Sequence, residues 1–300
     1  MRSRVNRDGR AHAIARDNRL HPREMKRSLR NHVAPVLVGI AVTIVAVSAL
    51  DAHDLFLKPF AFFVSPGSEA RLRVLNGTFE KSENSITRNR IRDLSVVGPG
   101  GVTHPDTSAW SDTGDTSVFA FRTGPAGTYV VGASTLPRAL RMEAKEFNEY
   151  LASDGVTDML EMRRRSNELN KPSHERYSKH VKTLLQVGDT RTSGFDAVLG
   201  YPAELIPLDN PYGTKVGGKL RVRTLVDGQP VANQLVIAGG RTPTGSRLSV
   251  KTLRSGADGI AVVPLSSPGY WYVKFIHMVP VMGDSVNYES KWATLTFQMR

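Results

Sequence analysis

Residues 268–278 read Pro-Gly-Tyr-Trp-Tyr-Val-Lys-Phe-Ile-His-Met. A Pro-Gly turn therefore precedes a run of aromatic and β-branched residues, which is the pattern of a β-strand. Successive side chains of a strand point to opposite faces, so one face carries Trp271, Val273, Phe275 and His277. We expect that face to be buried and Lys274 to point outward. His277 should be partly buried near the strand end.

Short stretches of the same kind recur on both sides of this one. Alternating apolar residues between Gly, Pro and Asn turns predict strands at 70–75, 94–97, 118–121 and 128–131, and again at 219–225, 235–238, 260–264 and 292–297. No long helix alternates with these strands, so a parallel α/β fold is not expected. The fold class is therefore mainly β, with two Ig-like or transthyretin-like β-sandwich regions and a helical insert between them.

The segment 137–188 has a different pattern and is the helical insert. Apolar residues at helical spacing predict helices around 147–151 and 159–169. A third helix, capped by Ser173, would carry Tyr177, Val181, Leu184 and Leu185 on one face. The run Arg163-Arg164-Arg165 is interpreted as a solvated helix face rather than an anion site. His174 and His180 do not share a helix face, and we expect both at the surface.

These patterns divide the chain into five parts. They are a signal peptide at 1–52, an N-terminal β-sandwich region at 53–136, the helical insert at 137–188, a connecting segment at 189–216 and a C-terminal Ig-like β-sandwich at 217–300.

The first part has the layout of an export signal. The 18 residues 33–50 contain no charge and follow an Arg-rich segment. Residues 1–24 are too long for the basic region of a signal, so we predict that Met25 is the true start. Cleavage after Ala52 would make His53 the first mature residue; cleavage after Ala49 is the competitor. An uncleaved membrane anchor is the alternative, although 18 residues are just short of a comfortable span.

Composition excludes several classes of function. The chain of 300 residues has no cysteine, which excludes disulfides, thiolate metal sites and cysteine catalysis. Half of the net charge of +12 lies in residues 1–52, which contain 10 basic and 4 acidic residues. The remainder is mildly basic with both signs interspersed, so nucleic acid is not an expected partner. We expect a periplasmic or other extracytoplasmic location, with membrane contact only through the signal or anchor.

Several blocks of sequence resemble a known periplasmic family. They are 53–59 (His-Asp-Leu-Phe-Leu-Lys-Pro), 181–188, 204–211, 227–231, 257–259, 276–278 (Ile-His-Met) and 288–297 (Tyr-Glu-Ser-Lys-Trp-Ala-Thr-Leu-Thr-Phe). In this order they resemble the NikM-like or NikK-like substrate-specific components of nickel uptake, a family of unknown function with transthyretin-like or Ig-like β domains. The resemblance spans 53–300 and implies a role with Ni²⁺ or Co²⁺ and contact with membrane transporter components.

The predicted amino terminus at His53 defines the candidate metal ligands. If His53 is the first residue, its α-amine and ring nitrogen form a chelate from a single residue. We expect His277 as a second imidazole, and Asp54 or Glu289 as a carboxylate, to complete a small nitrogen–oxygen site. Late divalent metals suit such ligands, and Cu²⁺ would outcompete Ni²⁺ or Co²⁺ at a bare nitrogen site. A start at Asp51 would instead offer Asp51-Ala52-His53 as a square-planar site.

The expected function is an exported metal-binding accessory protein of nickel or cobalt uptake, and not an enzyme. Two alternatives stay open. A copper oxidative enzyme with a histidine brace would use the same atoms, and a β-sandwich binding module without metal would use its loops. No nucleophile triad, phosphate loop or paired-carboxylate motif favours a hydrolase or a kinase.

Overall fold

In the computed structural model, which describes residues 53–283 and 285–300, most of the chain forms β-strands. The strands are β1 Asp54–Pro59, β2 Phe63–Val64, β3 Glu69–Gly77, β4 Ile91–Gly98, β5 Gly101–Thr103, β6 Trp110–Thr113, β7 Thr116–Arg122, β8 Gly127–Thr135, β9 Arg138–Met142, β10 Ser173–Val187, β11 Ala203–Pro207, β12 Lys219–Val226, β13 Gln229–Pro230, β14 Leu235–Arg241, β15 Lys251–Arg254, β16 Ile260–Pro264, β17 Gly269–Pro280 and β18 Tyr288–Met299. The helices are α1 Ala144–Ser153 and α2 Thr157–Arg165, and short 3-10 turns lie at Arg88–Arg90, Thr107–Ala109 and Pro211–Gly213. The prediction of a mainly β, sandwich-like fold is confirmed.

The strands form three sheets. A central sheet has the order β15-β14-β17-β18-β10-β8-β4-β5, with β2 and β9 also paired to β10. A front sheet has the order β1-β3-β7-β6, and a back sheet joins β11, β12, β13 and β16. Strands from both predicted β-rich regions enter the central sheet, and the limits at 136, 188 and 216 stay predictions.

The front face of the central sheet is the face that carries Lys274. Because directly paired residues share a face, Thr294 of β18 and Val181 of β10 lie on it too. The front sheet packs over one part of this face through Leu55, Leu57, Leu72, Phe119, Val181 and Leu185. Helices α1 and α2 cover another part through Phe147, Tyr150, Leu151, Ile276, Tyr288 and Trp292.

The back face carries Trp271, Val273, Phe275 and His277. The back sheet packs on it in a cluster that contains Leu205, Leu220, Val222, Trp271, Val273, Phe275, Leu295 and Phe297. The predicted burial of this face of β17 is confirmed, and His277 is half-buried as expected. The outward position expected for Lys274 is wrong, since the front face is covered as well and leaves that side chain 7% exposed.

The third predicted helix is also wrong, because residues 173–187 form the strand β10. The error has a physical reason. Tyr177, Val181 and Leu185 are four residues apart, a spacing that fits one helix face and also fits the even-numbered alternation of a strand. In β10, Leu184 points to the back face and Leu185 to the front face, and both are buried.

Two expectations of surface exposure fail for related reasons. His180 is 1% exposed, because β10 lies between β18 and β8 under the back layer. Arg163 of α2 is fully buried, and only Arg164 and Arg165 of the triple run face solvent. The first two predicted helices are confirmed as α1 and α2.

The predicted signal peptide, its start at Met25 and both cleavage positions lie outside the described residues. Neither helix of the described residues has the length and the apolar composition that a membrane span needs.

Candidate functional site

The candidate site lies at the beginning of β1, where His53 enters the fold. The Nε2 atom of His53 is 2.9 Å from Oε2 of Glu83, and its backbone carbonyl accepts a hydrogen bond from Nζ of Lys179. The imidazole is about a quarter exposed. His53 is therefore fixed at both its backbone and its ring, while its ring still reaches solvent.

Glu83 reaches His53 because the chain folds back on itself after β3. The Glu83 amide donates to the Asn76 carbonyl, and the Asn76 amide donates to Oγ of Ser82 at 3.0 Å. This reversal requires Gly77, since a Cβ there would lie 2.5 Å from the carbonyl oxygen of Lys81. The turn thus places the carboxylate of Glu83 beside the ring of His53.

Three charged side chains, the buried Lys274 and the partly buried Asp54 and Asp154, join the sheets to the helices beside His53. Nζ of Lys274 lies 2.5 Å from Oδ2 of Asp54 and 3.2 Å from Oδ1 of Asp154. Burial opposes the charge on Lys274, but Asp54 and then Asp154 overcome this effect and raise its pKa. Burial raises the pKa of Asp154, and Lys274 offsets this only in part. The ammonium is therefore the fixed positive charge of the site.

Asp54 is only partly satisfied in this arrangement. Its Oδ2 atom pairs with Lys274, whereas its Oδ1 atom is buried without a hydrogen-bond partner. A buried carboxylate oxygen without a donor is unfavourable and rare. The Oδ1 atom therefore offers an acceptor or metal ligand that the described side chains leave open.

His53 and Asp54 line a cleft of about 380 Å³, which we call the His53 cleft. Its wall includes Asp154 from the end of α1, Tyr272 from β17, and an ion pair between Arg241 and Glu80. The cleft thus lies where the front sheet, the helices and the central sheet meet. Its rim carries both charge signs and one imidazole.

The matching family model places this chain among known sequences. A domain of unknown function, DUF4198, matches residues 50–279. The chain belongs to the DUF4198 family. The matched segment contains His53, Asp54, Asp154, Lys274 and His277, and it stops before Glu289. No curated protein is significantly similar to the chain.

Solved structures show only distant likeness to this DUF4198 protein. One is a tetra-tandem repeat of the extending region of a large adhesion protein, with 12% identity, a TM-score of 0.21, and coverage of 82% of this chain and 49% of that chain. A trypsin-activated alpha-2-macroglobulin from Escherichia coli has 13% identity and a TM-score of 0.20, with coverage of 82% of this chain and 15% of that chain. The BSP domain of a biofilm associated protein has 10% identity and a TM-score of 0.19, with coverage of 81% of this chain and 29% of that chain. The chain spans less than half the length of each of these chains, and no argument below depends on the likeness.

The two other predicted ligands lie on the opposite face of the central sheet. His277 is on the back face, and its Nδ1 atom is 3.0 Å from Oε1 of Gln234. Glu289 shares that face through its pairing with Val279, and its Oε2 atom accepts from Arg176 at 2.9 Å. Burial, followed by the charge of Lys291, lowers the pKa of His277.

One ion cannot bind all four predicted residues, because metal–ligand bonds of about 2.0–2.2 Å do not reach through a sheet. No group of three His, Asp or Glu side chains among the described residues is arranged to hold a metal. The four-residue site is thus not assembled in this DUF4198 protein. The smaller site at His53 and Asp54 stays a prediction.

Sequence reasoning missed Glu83, Asp154, Lys179 and Lys274 as members of the site. The sequence does contain one pattern that could have identified Lys274. Its neighbours on the front face are Tyr272 and Ile276, so the pattern is apolar on both faces of β17. A strand that is apolar on both faces is buried on both faces, and a lysine within it requires an acidic partner.

Proposed function

We propose that this DUF4198 protein is an exported accessory protein that binds a divalent metal ion, Ni²⁺ or Co²⁺, through the amino terminus at His53. The NikM-like and NikK-like resemblance supports a role in metal uptake and names membrane transporter components as partners. The observation that carries the proposal is the contact between Glu83 and Nε2 of His53, a residue that lines the cleft.

That contact prepares the ring for a metal. In a neutral imidazole, donation from Nε2–H to the Glu83 carboxylate leaves the lone pair on Nδ1. After cleavage at Ala52, the α-amine of the same residue would join Nδ1 in a chelate. The unsatisfied Oδ1 atom of the adjacent Asp54 would extend the chelate. Nitrogen donors with one carboxylate suit Ni²⁺, Co²⁺ and Cu²⁺.

The test begins with the full chain exported by its own leader, whose first residue is determined by mass spectrometry. Calorimetric titration with Ni²⁺, Co²⁺ and Cu²⁺ should give one ion per chain. His53→Ala should weaken binding at least 100-fold, since it removes the ring nitrogen and leaves only the α-amine of the chelate. Glu83→Gln should weaken it about 10-fold, as is typical of a group that orients a ligand.

Two control variants separate this site from ordinary imidazole binding. His104 forms a similar pair, with its Nδ1 atom 2.9 Å from Oδ1 of Asp93, but far from the amino terminus. His104→Ala should leave the affinity unchanged. Insertion of one alanine after Ala52 keeps the His53 ring and moves the α-amine, and it should weaken binding as much as His53→Ala does. The proposal would be wrong if His53→Ala or the alanine insertion left binding unchanged, or if the exported protein retained its leader. Each of these outcomes would favour a β-sandwich binding module without metal.

A further inference from the structure

The outer face of the front sheet, which points away from the central sheet, carries a row of basic residues. Leu57, Leu72 and Phe119 point inward and belong to the buried cluster, so the residues that alternate with them point outward. On β1, β3 and β7 the charged residues that point outward are Lys58, Glu69, Arg71, Arg73 and Arg122. Four of these five are basic, and we call this surface, together with Phe60, the Arg73 face.

The basic residues at the centre of the Arg73 face repel one another. Arg73 lies directly opposite Lys58 of β1, and Arg71 is its neighbour on the same face of β3. Like charges that lie directly opposite each other on a sheet are destabilising. Burial lowers the pKa of Lys58 although Glu80 raises it, and Arg73 lowers it further. Glu80 is itself paired with Arg241.

The acidic residue of the Arg73 face neutralises only part of this charge. Glu69 approaches Arg71 at 3.8 Å, and both side chains are more than half exposed, so the pair is weak. The Nε atom of Arg73 is buried and donates to no group among the described residues. Four basic residues and one acidic residue therefore leave three positive charges on this face.

Phe60 adds an exposed apolar ring to these charges. Its amide donates to the carbonyl of Arg71, which continues the pairing of β1 with β3 by one residue. Phe60 is 54% exposed, and the guanidinium carbons of Arg71 and Arg73 lie 5.3 and 4.6 Å from its ring centroid. Basic residues around an exposed aromatic ring suit the headgroup region of a bilayer, where the ring enters the interface and the charges meet anionic lipids.

We propose that the Arg73 face binds the surface of a bilayer that contains anionic phospholipid. The lipid phosphates would pair with Lys58, Arg71 and Arg73, and Phe60 would lie among the headgroups. Phe60 comes eight residues after Ala52, so it lies at most about 30 Å from the end of the predicted leader. This contact goes beyond the one expected through the signal or anchor, and it depends on export but not on a metal ion at His53.

Flotation of the exported protein with phospholipid vesicles tests this proposal. Vesicles of equal parts phosphatidylglycerol and phosphatidylcholine should bind it at least 10-fold more tightly than phosphatidylcholine alone, since each basic residue contributes about fivefold at an anionic surface. About 0.5 M NaCl should abolish this difference, because salt screens surface charges. The double variant Arg71→Gln/Arg73→Gln should weaken binding to the anionic vesicles at least 10-fold. Phe60→Ser should weaken it about 3-fold.

The matched control is the double variant Arg165→Gln/Arg191→Gln, which removes the same charge at exposed positions outside the front sheet. It should bind the anionic vesicles as the wild type does. Because this control carries the same amino terminus, the comparison holds whether or not the leader is removed. His53→Ala should also keep wild-type binding, so a failure of the metal proposal would not affect this one.

Heparin, a soluble polyanion, separates a lipid surface from an acidic polymer. Phe60→Ser should weaken binding to vesicles but not to heparin. Heparin binding without vesicle binding, equal binding to both kinds of vesicle, or an equal loss in the charge-matched control would overturn the proposal. So would wild-type vesicle binding in both variants of the Arg73 face. Thermal melts establish that each variant is folded.

Discussion

At the scale of single residues, Lys274 determines the electrostatics of the His53 cleft. It neutralises two aspartates that come from different layers, Asp54 on the front sheet and Asp154 at the end of α1. Two buried carboxylates without that ammonium would repel each other and lose their solvation. The lysine thus holds the layers together around the cleft.

Substitution of this lysine should therefore be costly. We expect Lys274→Met to lower the free energy of unfolding by about 3–5 kcal/mol, because it leaves buried carboxylates unpaired. Lys291→Met is the control, since Lys291 pairs with the exposed Asp227 and should cost less than about 1 kcal/mol. Urea unfolding monitored by circular dichroism measures both. Equal losses would show that the buried triad has no special role.

Glu175 gives a prediction on pH dependence. It is 2% exposed beneath α1, where burial raises its pKa to about 7 although Ser290 and Tyr150 donate hydrogen bonds to it. Because the folded protein holds this proton more tightly than the unfolded chain does, stability should fall as pH rises from about 4.5 to about 7, by up to about 3 kcal/mol. Glu175→Gln should flatten this slope in urea unfolding measured across that range. Glu69→Gln, at an exposed position, should keep it.

At the scale of elements, the helical pair depends on one buried arginine of α2. Arg163 donates to Oδ1 of Asn148, to the hydroxyl of Tyr288 and to the carbonyls of Glu168 and Lys171. Its guanidinium also lies 4.8 Å from the ring centroid of Phe147. One side chain thus joins both helices, the following loop and β18.

Substitution of Arg163 should affect stability much more than substitution of its neighbours in the run Arg163-Arg164-Arg165. We expect Arg163→Met to destabilise the protein by about 3 kcal/mol or more, because it leaves two partly buried carbonyls, an amide oxygen and a hydroxyl without their donor. Arg165→Met, on the exposed side of the same helix, should change stability by less than about 0.5 kcal/mol. Thermal unfolding compares the two variants, and similar melting temperatures would contradict the assignment.

Sequence patterns predict the elements where one period dominates, and fail where two periods coincide. The alternation of Trp271, Val273 and Phe275 identifies β17 and its back face correctly. The spacing of Tyr177 and Val181 fits two structures, and only the neighbouring strands decide between them. For the site, His53 and Asp54 are adjacent in sequence. Glu83 and Asp154 come from a turn and a helix end, whose positions depend on tertiary packing that no local pattern encodes.

At the scale of the whole molecule, the metal proposal predicts a change in global stability. A ligand that binds only the folded state stabilises it by RT ln(1 + [L]/Kd), which is about 2.7 kcal/mol at 100 times Kd. Ni²⁺ should therefore raise the melting temperature of the exported protein by several degrees. His53→Ala should abolish this shift, and His104→Ala should retain it. A shift that persists without His53 would place the ion elsewhere.

The pairing of β10 with β18 has a consequence for biosynthesis. The two strands run parallel, and residues more than one hundred positions apart meet along nine consecutive pairs. β18 lies between β17 and β10, so the middle of the central sheet stays open until the strand latest in the sequence arrives. A nascent chain lacking that strand would present two unpaired strand edges, which invite aggregation. Such a topology can form only after β18 has been synthesised, and pairings between strands so far apart in sequence form slowly.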